Sequence, residues 1–413
     1  MKNIITDKIV IQENITPEIE KFIAENFGST EGCVICDCNT DKIARDYLSK
    51  FCAVSIDIRS YHADEFMIEA YDEIVKNRDY AYFIACGAGT IHDITRVLAH
   101  KYNKPFISFP TAASVDGFVS GIAPITAKSG MKITLRSAAP VALFADINIL
   151  ADAPRRLTAS GTGDLAGKYI ALADWRIAHL LTGEEIDGEI IRLVYQAVNK
   201  VAGFAEDDYN GEDYKKEYKK FCAELLDALV LSGLCMQSAG HSRPASGAEH
   251  HIAHFLEMNI LPDIFGENSY LHGENVAAGA ILCAELYHKF AGAQDIKFIE
   301  NYALDESLIK KYYGGLSDEI IKENSPPYLH KITPEIFYKN LGGMRDIIRD
   351  IPSAGEIRRI LAAGAGFSRP QNKINQEREN PAPAVREPAL ALELAPYVRN
   401  RFTLLKLCRC LEF

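Results

Sequence analysis

The sequence contains no apolar run that approaches the roughly 20 residues needed to span a bilayer. Its first seven residues also lack the basic-then-apolar order of a secretory signal peptide. We therefore expect a cytoplasmic protein without a membrane span.

Positive charge is scarce. The chain carries 45 Lys and Arg residues against 56 Asp and Glu residues, which gives a formal net charge of −11. This balance argues against a nucleic-acid partner, because binding a phosphate backbone requires an extended basic surface. A small anionic substrate is still compatible with it, since such a substrate needs only a local cluster of Lys and Arg.

Cysteine is infrequent as well, with ten in 413 residues. Without a secretory context, we expect reduced thiols and no disulfide framework. Cys33, Cys36 and Cys38 lie close together, which would also suit a metal or redox site. A buried strand over residues 33–37 is the favoured interpretation, because a free cysteine packs as a small hydrophobic side chain.

The length of the chain exceeds what one hydrophobic core usually holds, so two domains are expected. Residues 1–156 alternate short apolar runs with amphipathic stretches. This alternation predicts a Rossmann-like α/β domain with a parallel sheet covered on both faces. Ligands of such sheets bind outside the carboxyl ends of the strands. The predicted strands are residues 33–37, 53–56, 82–86, 106–109 and 141–146, and the predicted helices are residues 41–51, 64–76 and 91–101.

Residues 157–413 are predicted to form an all-helical C-terminal domain, because helical periodicity dominates there and strand-like alternation is nearly absent. Residues 367–388 are polar and proline-rich, which predicts a surface or disordered connector. Residues 390–407 are apolar enough to pack back onto the domain, and Pro396 should break or kink any helix there. The predicted helices are residues 164–181, 189–204, 217–238, 247–259, 273–290, 307–313, 333–348 and 355–363.

Three distant segments carry potential ligands for one divalent metal. Asp164, His250 and His272 would supply one carboxylate and two imidazoles and leave a coordination position open, as a catalytic metal requires. His250 and His254 share a helix face because they are four residues apart, whereas His251 faces the packed side and ranks below His250 as a ligand.

Each member of this set has a purely structural alternative. An isolated His-x-x-x-His pair is often a packed or solvated pair, and an aspartate in the first turn of a helix is often a cap. We expect Asp164 to begin a helix, and Lys168, four residues on, to pair with it or to reach an anionic substrate. Glu274 is a candidate for orienting an imidazole ligand.

A glycine-rich turn, Gly87-Ala88-Gly89, follows a predicted strand and opens a predicted helix. Glycine lets the backbone approach a pyrophosphate, and a helix N-terminus favours anions. The small and hydroxyl residues 111–114 follow the next strand at the same edge of the sheet and suit a cofactor phosphate or ribose. Asp37, at the end of another strand, would accept ribose hydroxyls or serve only as a turn residue.

Positively charged side chains that cluster are informative because they are rare here. Lys128, Lys132 and Arg136 follow the Asp116 turn, and Arg243 precedes the histidine segment. An arginine beside a metal site can hold a phosphate with two hydrogen bonds. Each of these residues could equally be an ordinary surface charge.

Taken together, residues 87–93, 110–116, 161–168, 242–254 and 272–274 resemble the superfamily of iron-containing and glycerol dehydrogenases and dehydroquinate synthases. The Ser242-Arg243-Pro244-Ala245-Ser246-Gly247 run resembles its phosphate-substrate branch, the glycerol-1-phosphate dehydrogenases of the bacterial type. The resemblance implies NAD or NADP as cofactor, a metal ion (zinc or nickel, with iron also possible) and a cleft between the two domains. The implied reaction interconverts dihydroxyacetone phosphate and sn-glycerol 1-phosphate.

The resemblance also implies roles for individual residues. Asp164, His250 and His272 would ligate the metal, His254 with Asp116 would relay a proton, and Arg243 with a lysine of residues 128–136 would hold the phosphate. Lys168 completes the expected catalytic group. The residues expected at the cofactor are Asp37, Gly87, Gly89, Thr90, Ile91, His92, Asp93, Thr111, Ala112, Ala113, Ser114 and Ser120.

Other functions stay open at this stage. A lyase of the dehydroquinate synthase type would carry Glu at the position of Asp164 and a Gly-Gly-Lys run near Ser120. A glycerol or other alcohol dehydrogenase would not need Arg243 and the lysines, and a non-catalytic nucleotide-binding module would not need the metal ligands. His, His and Asp suit several divalent ions, Asp37 would disfavour the 2′-phosphate of NADP, and a homodimer is the default assembly.

Overall fold

The computed structural model describes residues 1, 4–28, 31–56, 63–206, 214–265, 270–300, 302–366 and 385–413. It contains a parallel sheet with helices in the first part of the chain and a helix-rich second part, so the predicted fold class is confirmed. The predicted connector at residues 367–388 falls largely outside the described residues.

A six-stranded, wholly parallel sheet forms the first part, in the order β1-β8-β5-β4-β2-β3. All five predicted strands are present. The sequence analysis missed the edge strand β1 and a separate antiparallel hairpin, β6–β7. The strands are β1 Lys8–Gln12, β2 Gly32–Asp37, β3 Cys52–Ile56, β4 Tyr82–Gly87, β5 Phe106–Pro110, β6 Ile122–Thr126, β7 Lys132–Arg136 and β8 Ala142–Asp146.

Side chains of the central strands alternate between two hydrophobic layers, which explains why these strands are continuous apolar runs. Cys33 and Ile35 face one layer, and Val34 and Cys36 face the other. One layer is covered by α3, α4 and the hairpin, and the opposite layer by α1, α2 and α5. These helices are α1 Thr16–Asn26, α2 Asp41–Tyr47, α3 Glu65–Val75, α4 Gly89–Tyr102 and α5 Ile147–Asp152.

Thirteen helices follow in the described part of the second half, together with one short antiparallel pair of strands, β9 Lys297–Phe298 and β10 Leu411–Glu412. The helices are α6 Arg155–Ala166, α7 Lys168–Thr182, α8 Gly188–Ala202, α9 Tyr214–Ala239, α10 Ala248–Glu257, α11 Pro262–Phe265, α12 His272–Gly292, α13 Glu306–Tyr313, α14 Ser317–Glu323, α15 Pro334–Arg349, α16 Ala354–Gly366, α17 Pro388–Leu394 and α18 Leu404–Leu407. The division at residue 156 stays a prediction.

One expected helix was wrong in detail. Residues 164–181 do not form a single helix beginning at Asp164, because α6 and α7 meet at Gly167, and Asp164 lies in the last turn of α6. Its carboxylate therefore does not cap a helix start.

Residues 390–407, called the C-terminal segment below, pack into the main core, as their apolar composition predicts. Tyr397, Phe402 and Leu404 are buried there. The expected helix break is also present, since α17 ends at Leu394 and Pro396 lies in a short 3₁₀ turn, Ala395–Tyr397.

Among the described residues, one helical segment, Lys215–Ala239 in α9, is long and apolar enough to cross a membrane, which the sequence analysis did not expect. However, 61% of its most apolar stretch is buried inside the protein. Phe221, Leu225 and Leu229 of this helix belong to the main hydrophobic core, so burial in the protein accounts for its composition.

Candidate active site

The three residues expected to bind a metal come together at one point. Asp164 lies in the last turn of α6, His250 in the first turn of α10, and His272 at the first position of α12. One ligand atom from each lies within 4.8 Å of the other two. The Nε2 atom of His250 is 3.7 Å from Oδ1 of Asp164. Three helices thus converge on a compact set of one carboxylate and two imidazoles.

Carboxylates fix the orientation of both imidazoles. His250 Nδ1 is 2.7 Å from Oε1 of Glu249, and His272 Nδ1 is 2.7 Å from Oε1 of Glu257. In each ring this leaves Nε2 for a metal, and a carboxylate on the far nitrogen increases the basicity of the ligand. His254, Glu257 and His272 also lie within 4.8 Å of one another. The short Glu257–His272 contact indicates that Glu257 orients the ring.

Glu274 does not have the orienting role expected for it. Its carboxylate pairs with Nε and Nη2 of Arg156, both at 2.7 Å, and accepts the backbone N–H of Leu271 at the start of α12. The sequence analysis did not identify Glu249 or Glu257. Their signal is their position on the histidine helix, one residue before His250 and three after His254.

The charges at this cluster suit a divalent cation. Burial alone would raise the pKa of Asp164, but Lys168, His272 and His250 lower it to about 2. Burial and the nearby Lys168 lower the pKa of His250 to about 3. An ionised carboxylate beside a neutral imidazole is the protonation state that metal binding needs. The residues present therefore fit a divalent metal.

Lys168 and Asp116 form a buried ionic network beneath the cluster. Lys168 Nζ lies 2.7 Å from Oδ1 of Asp164 and 2.9 Å from Oδ2 of Asp116. Asp116 also accepts the hydroxyl of Ser232 at 3.0 Å, and its backbone N–H donates to Asp164 Oδ2 at 2.8 Å. Lys168 is fully buried and pairs with Asp164, the first of its two expected roles. Its place in the catalytic group stays a prediction.

The two further histidines of α10 differ in their surroundings. The ring centroid of His254 is 5.9 Å from those of His250 and His272, so it belongs to the cluster. Burial lowers the pKa of His254 well below its usual value, which keeps the ring neutral. His251 is 1% exposed and faces the packed side, as expected.

The glycine-rich turn lies where β4 ends and α4 begins. A Cβ on Gly87 would come within 2.7 Å of the Ile91 side chain, so the close turn excludes a larger residue. Gly89, Thr90 and Asp93 are half-buried at the N-terminal turns of α4. Burial raises the pKa of Asp93 to about 6 against the effects of Arg96, Lys132 and His272. Hydrogen bonds link the turn to the histidine cluster: Thr111 N–H donates to the Gly87 carbonyl at 3.1 Å, and the backbone N–H of Asp116 in the same loop donates to Asp164.

Several residues expected at the cofactor have side chains directed into the protein. His92 lies between the Ala88 carbonyl (3.0 Å) and the Ser108 hydroxyl (2.8 Å), and burial lowers its pKa to about 3. Ser120 bonds locally to Ile122. The side chains of Ile91, Ala112 and Ala113 are buried in the core. The physical reason is packing of α4 and the following loop against the sheet.

The remaining expected cofactor residues lie at the carboxyl edge of the sheet. Thr111 and Ser114 are buried after β5, and the Ser114 hydroxyl is without a hydrogen-bond partner among the described residues. Asp37 Oδ1 accepts the backbone N–H groups of Asn39 and Thr40, so this oxygen stabilises the turn after β2.

The expected phosphate-holding residues are dispersed. Arg243 forms a two-bond ion pair with Glu184 and donates to the Phe402 carbonyl at 2.8 Å. Lys128 pairs with Glu69 on the surface, and Arg136 is exposed on β7. Lys132 alone lies at the cluster, buried and 3.1 Å from Oε2 of Glu257. In this structure a carboxylate occupies the paired donors of Arg243, and its role as a phosphate ligand stays a prediction.

Known proteins resemble this chain in sequence and in the arrangement of its helices and strands. Residues 10–154 match the family model for iron-containing alcohol dehydrogenase. The glycerol-1-phosphate dehydrogenase [NAD(P)+] of Pyrococcus abyssi is 32% identical over 333 residues, which cover 79% of this chain and 90% of that protein. The chain belongs to the iron-containing alcohol dehydrogenase family, in its glycerol-1-phosphate dehydrogenase branch.

Other members of the family agree with this assignment. The glycerol-1-phosphate dehydrogenase [NAD(P)+] of Bacillus licheniformis is 38% identical over 272 residues, so the match covers 66% of this chain and just under two thirds, 64%, of that relative. The crystal structure of a probable glycerol dehydrogenase from Sinorhizobium meliloti matches 89% of this chain and 98% of its own, with a TM-score of 0.54 and 16% identity. That structure supports the family fold.

Proposed function

We propose that this protein is a metal-dependent sn-glycerol-1-phosphate dehydrogenase, which reduces dihydroxyacetone phosphate with NADH or NADPH. The observation that carries the proposal is the convergence of Asp164, His250 and His272, which the loop at residues 111–116 connects to the glycine-rich turn. The relatives from Bacillus licheniformis and Pyrococcus abyssi support the phosphorylated substrate.

Asp164, His250 and His272 are the proposed metal ligands, with Glu249 and Glu257 holding the rings. A divalent ion bound there would act as a Lewis acid towards the carbonyl oxygen of the substrate. Zinc and nickel are the preferred ions, and iron also suits these donors. Lys168 and Asp116 hold the Asp164 carboxylate in place beneath the ligands.

His254 is the proposed proton carrier. Its ring lies beside both histidine ligands, and its Nδ1 is without a partner among the described residues. A neutral imidazole can accept the alcohol proton in the oxidation direction and return it in the reduction direction. Asp116 supports this site through Lys168, which it contacts at 2.9 Å.

The cofactor is proposed to bind at the carboxyl edge of the sheet, with its phosphates at the N-terminus of α4. Gly89 and Thr90 offer backbone N–H groups there, and Thr111 and Ser114 offer hydroxyls. Asp37 favours NAD over NADP, since its carboxylate would repel a 2′-phosphate. We also propose a division of the chain near residue 156, a cytoplasmic location and a homodimer.

A glycerol or other alcohol dehydrogenase is the second candidate. The specific observation in its favour is the ion pair between Arg243 and Glu184, which engages the arginine expected to recognise phosphate. The metal and cofactor sites would be the same in both cases, so only the substrate distinguishes them.

The deciding experiment measures NADH oxidation with dihydroxyacetone phosphate and with dihydroxyacetone, after loading with zinc or nickel or treatment with EDTA. We expect metal-dependent turnover that prefers the phosphorylated ketone and yields the sn-1 enantiomer. Equal activity with dihydroxyacetone would favour the second candidate.

A matched pair of variants tests the ligands in the same assay. Asp164→Asn should lose bound metal and turnover together, whereas Asp263→Asn, an exposed position on α11, should retain both. Full activity of Asp164→Asn after chelation would refute the metal mechanism.

A further inference from the structure

Two arginines of the C-terminal segment lack a carboxylate partner within the described part of the chain. Arg399 donates to the Thr134 hydroxyl at 3.2 Å. Arg401 donates to the Ser246 carbonyl at 3.1 Å and to the Ser242 hydroxyl at 3.0 Å. All three acceptors are neutral, and both arginines are half-buried. A guanidinium in such surroundings is expected to attract an anion.

Further basic groups surround them. Burial, together with the charges of Arg243 and Arg399, lowers the pKa of Arg401 to about 10. Lys406 is buried, and within the residues that the structure describes its amine donates to two neutral oxygens, Asn324 Oδ1 at 2.8 Å and the Arg399 carbonyl at 2.6 Å.

The carboxylates near these cations have other partners. Both carboxylate oxygens of Glu184 accept hydrogen bonds from Arg243. Glu323 accepts the backbone N–H of Asn400, and Glu249 accepts that of Gly247. Within the described residues, none of these carboxylates forms an ion pair with Arg399, Arg401 or Lys406.

His251 adds an independent observation. It is 1% exposed, and both of its ring nitrogens are without a hydrogen-bond partner in the described residues. Its backbone N–H donates to the Gly247 carbonyl, and the preceding residue, Ser246, accepts from Arg401, so His251 lies one helical turn from the Arg401 contact. Burial and the charges of Lys406 and Arg401 lower the pKa of the ring. A buried imidazole without partners is costly, and a bound acceptor would remove that cost.

These groups are linked to the candidate active site through the elements that they contact. Thr134 is two residues from Lys132 on β7, so both side chains are on the same face of the hairpin. Lys132 in turn contacts Glu257, which holds His272. Ser242 and Ser246 directly precede α10, which carries His250. The segment thus connects the hairpin to the start of the histidine helix.

We propose that Arg399, Arg401 and His251 form a binding site for a phosphate monoester dianion. Two guanidinium groups supply several N–H donors, and the imidazole supplies one more. Two sources have this chemistry: the phosphate of the three-carbon substrate, in which case the inference rests on the proposed function, and free phosphate bound as an effector. The site would replace Arg243 as the phosphate ligand.

The test measures the affinity for inorganic phosphate by calorimetry, and KM for dihydroxyacetone phosphate with and without added phosphate. The double variant Arg399→Gln/Arg401→Gln should bind phosphate roughly 10- to 100-fold more weakly, as expected for loss of charged hydrogen bonds. Arg386→Gln removes an exposed arginine that lies just before this segment, and this variant should bind phosphate like the wild type.

The kinetic results distinguish the two sources. If the site holds the substrate, phosphate inhibits competitively, and the double variant raises KM for dihydroxyacetone phosphate far more than KM for dihydroxyacetone. If it holds an effector, the double variant loses phosphate binding while KM for dihydroxyacetone phosphate is unchanged. Both results support the site.

Wild-type affinity for phosphate in the double variant, or no phosphate binding by the wild type, would overturn the proposal. The variant Arg399→Lys/Arg401→Lys guards against misfolding, because it keeps both charges and should recover part of the affinity. Calorimetry needs no turnover, so it tests the site even if the protein does not reduce dihydroxyacetone phosphate.

Discussion

The two proposed imidazole ligands, His250 and His272, each contact a carboxylate through Nδ1. Glu257 accepts from His272 and contacts Lys132, so one residue orients a ligand and neutralises a buried lysine. Glu274, although only two residues from His272, pairs with Arg156 instead. Substituting each glutamate in turn therefore distinguishes the effect of orienting a ligand from the effect of merely lying near it.

We predict that Glu257→Gln lowers the affinity for the metal by roughly 10- to 100-fold, as is typical when the partner of a ligand is changed. The amide keeps the shape of the side chain but loses the charge that holds the imidazole N–H. Competition of the protein with a chelating dye for zinc measures the effect directly.

Glu274→Gln serves as the control for that measurement. It should lower the melting temperature, because it weakens the Arg156 pair and the cap of α12, but it should leave metal affinity within a factor of about two. Equal losses of affinity in both variants would contradict the role assigned to Glu257.

The candidate metal ligands could be recognised in the sequence, whereas the carboxylates that orient them could not. Asp164, His250 and His272 are recognisable because few other residue types bind a catalytic metal. Glu257 and Glu274 are equally good candidates in the sequence, and only the directions of α10 and α12 decide between them. The ion pair of Arg243 with Glu184 could not be predicted for a related reason, because the two residues are 59 positions apart in the chain.

The C-terminal segment is tied to three other helices through one buried carboxylate. Asp174 of α7 accepts the N–H of Leu404 at 2.7 Å, the N–H of Ala248 at 2.8 Å and the hydroxyl of Tyr287 at 2.8 Å. Ala248 begins α10, so the position of the histidine helix depends on this docking. The stability of the docked segment can be followed through Lys406 in α18.

Lys406 should make this docking depend on pH. Burial, with a contribution from Arg409, lowers the pKa of Lys406 from its usual 10.5 to about 7. Between these values the unfolded chain binds a proton that the folded protein has lost, so stability rises with pH across this window. Below about pH 7 both states are protonated, and the penalty is constant.

We predict that Lys406→Met removes this rise, which amounts to at most about 1.4 kcal/mol per pH unit. Melting temperatures of the wild type and the variant, measured from about pH 6.5 to about pH 9.5, would show whether the rise in stability is lost. Lys322→Met, at an exposed position of α14, should follow the wild type. A constant difference between wild type and Lys406→Met at all pH values would count against the prediction.

Elements were predictable where periodicity and burial agree. The five predicted strands lie in the parallel sheet, where both faces are covered and apolar runs are continuous. Hairpin β6–β7 was missed because its strands carry Pro124 and alternate less clearly, and β1 was missed because it is a partly exposed edge strand. The division between α6 and α7 at Gly167 is set by tertiary packing, since a Cβ there would come within 2.5 Å of Val276.

The two parts of the molecule meet along α6. The backbone N–H of Asp116, which follows β5, donates to Asp164 near the end of this helix. One turn earlier, Gly161 packs so closely against the same loop that an added Cβ would lie 2.0 Å from the Ala113 carbonyl oxygen. The sequence showed a Gly-x-Gly-Asp run here, but it could not show that Gly161 is required by a backbone more than 40 residues away.

We predict that Gly161→Ala displaces α6 from the loop at residues 111–116 and costs about 1–3 kcal/mol, as over-packing of a core usually does. Because Asp164 and Thr111 lie on opposite sides of this contact, the affinity for NADH should fall together with the melting temperature. Fluorescence titration measures the affinity, and thermal unfolding measures the melting temperature.

Gly188→Ala provides the matched control: its Cβ would meet open space at the start of α8, where alanine favours the helix by roughly 0.5–1 kcal/mol. The control should therefore melt at the same or a higher temperature and bind NADH normally. If Gly161→Ala matched the control in both measurements, close contact along α6 would not set the geometry of the site.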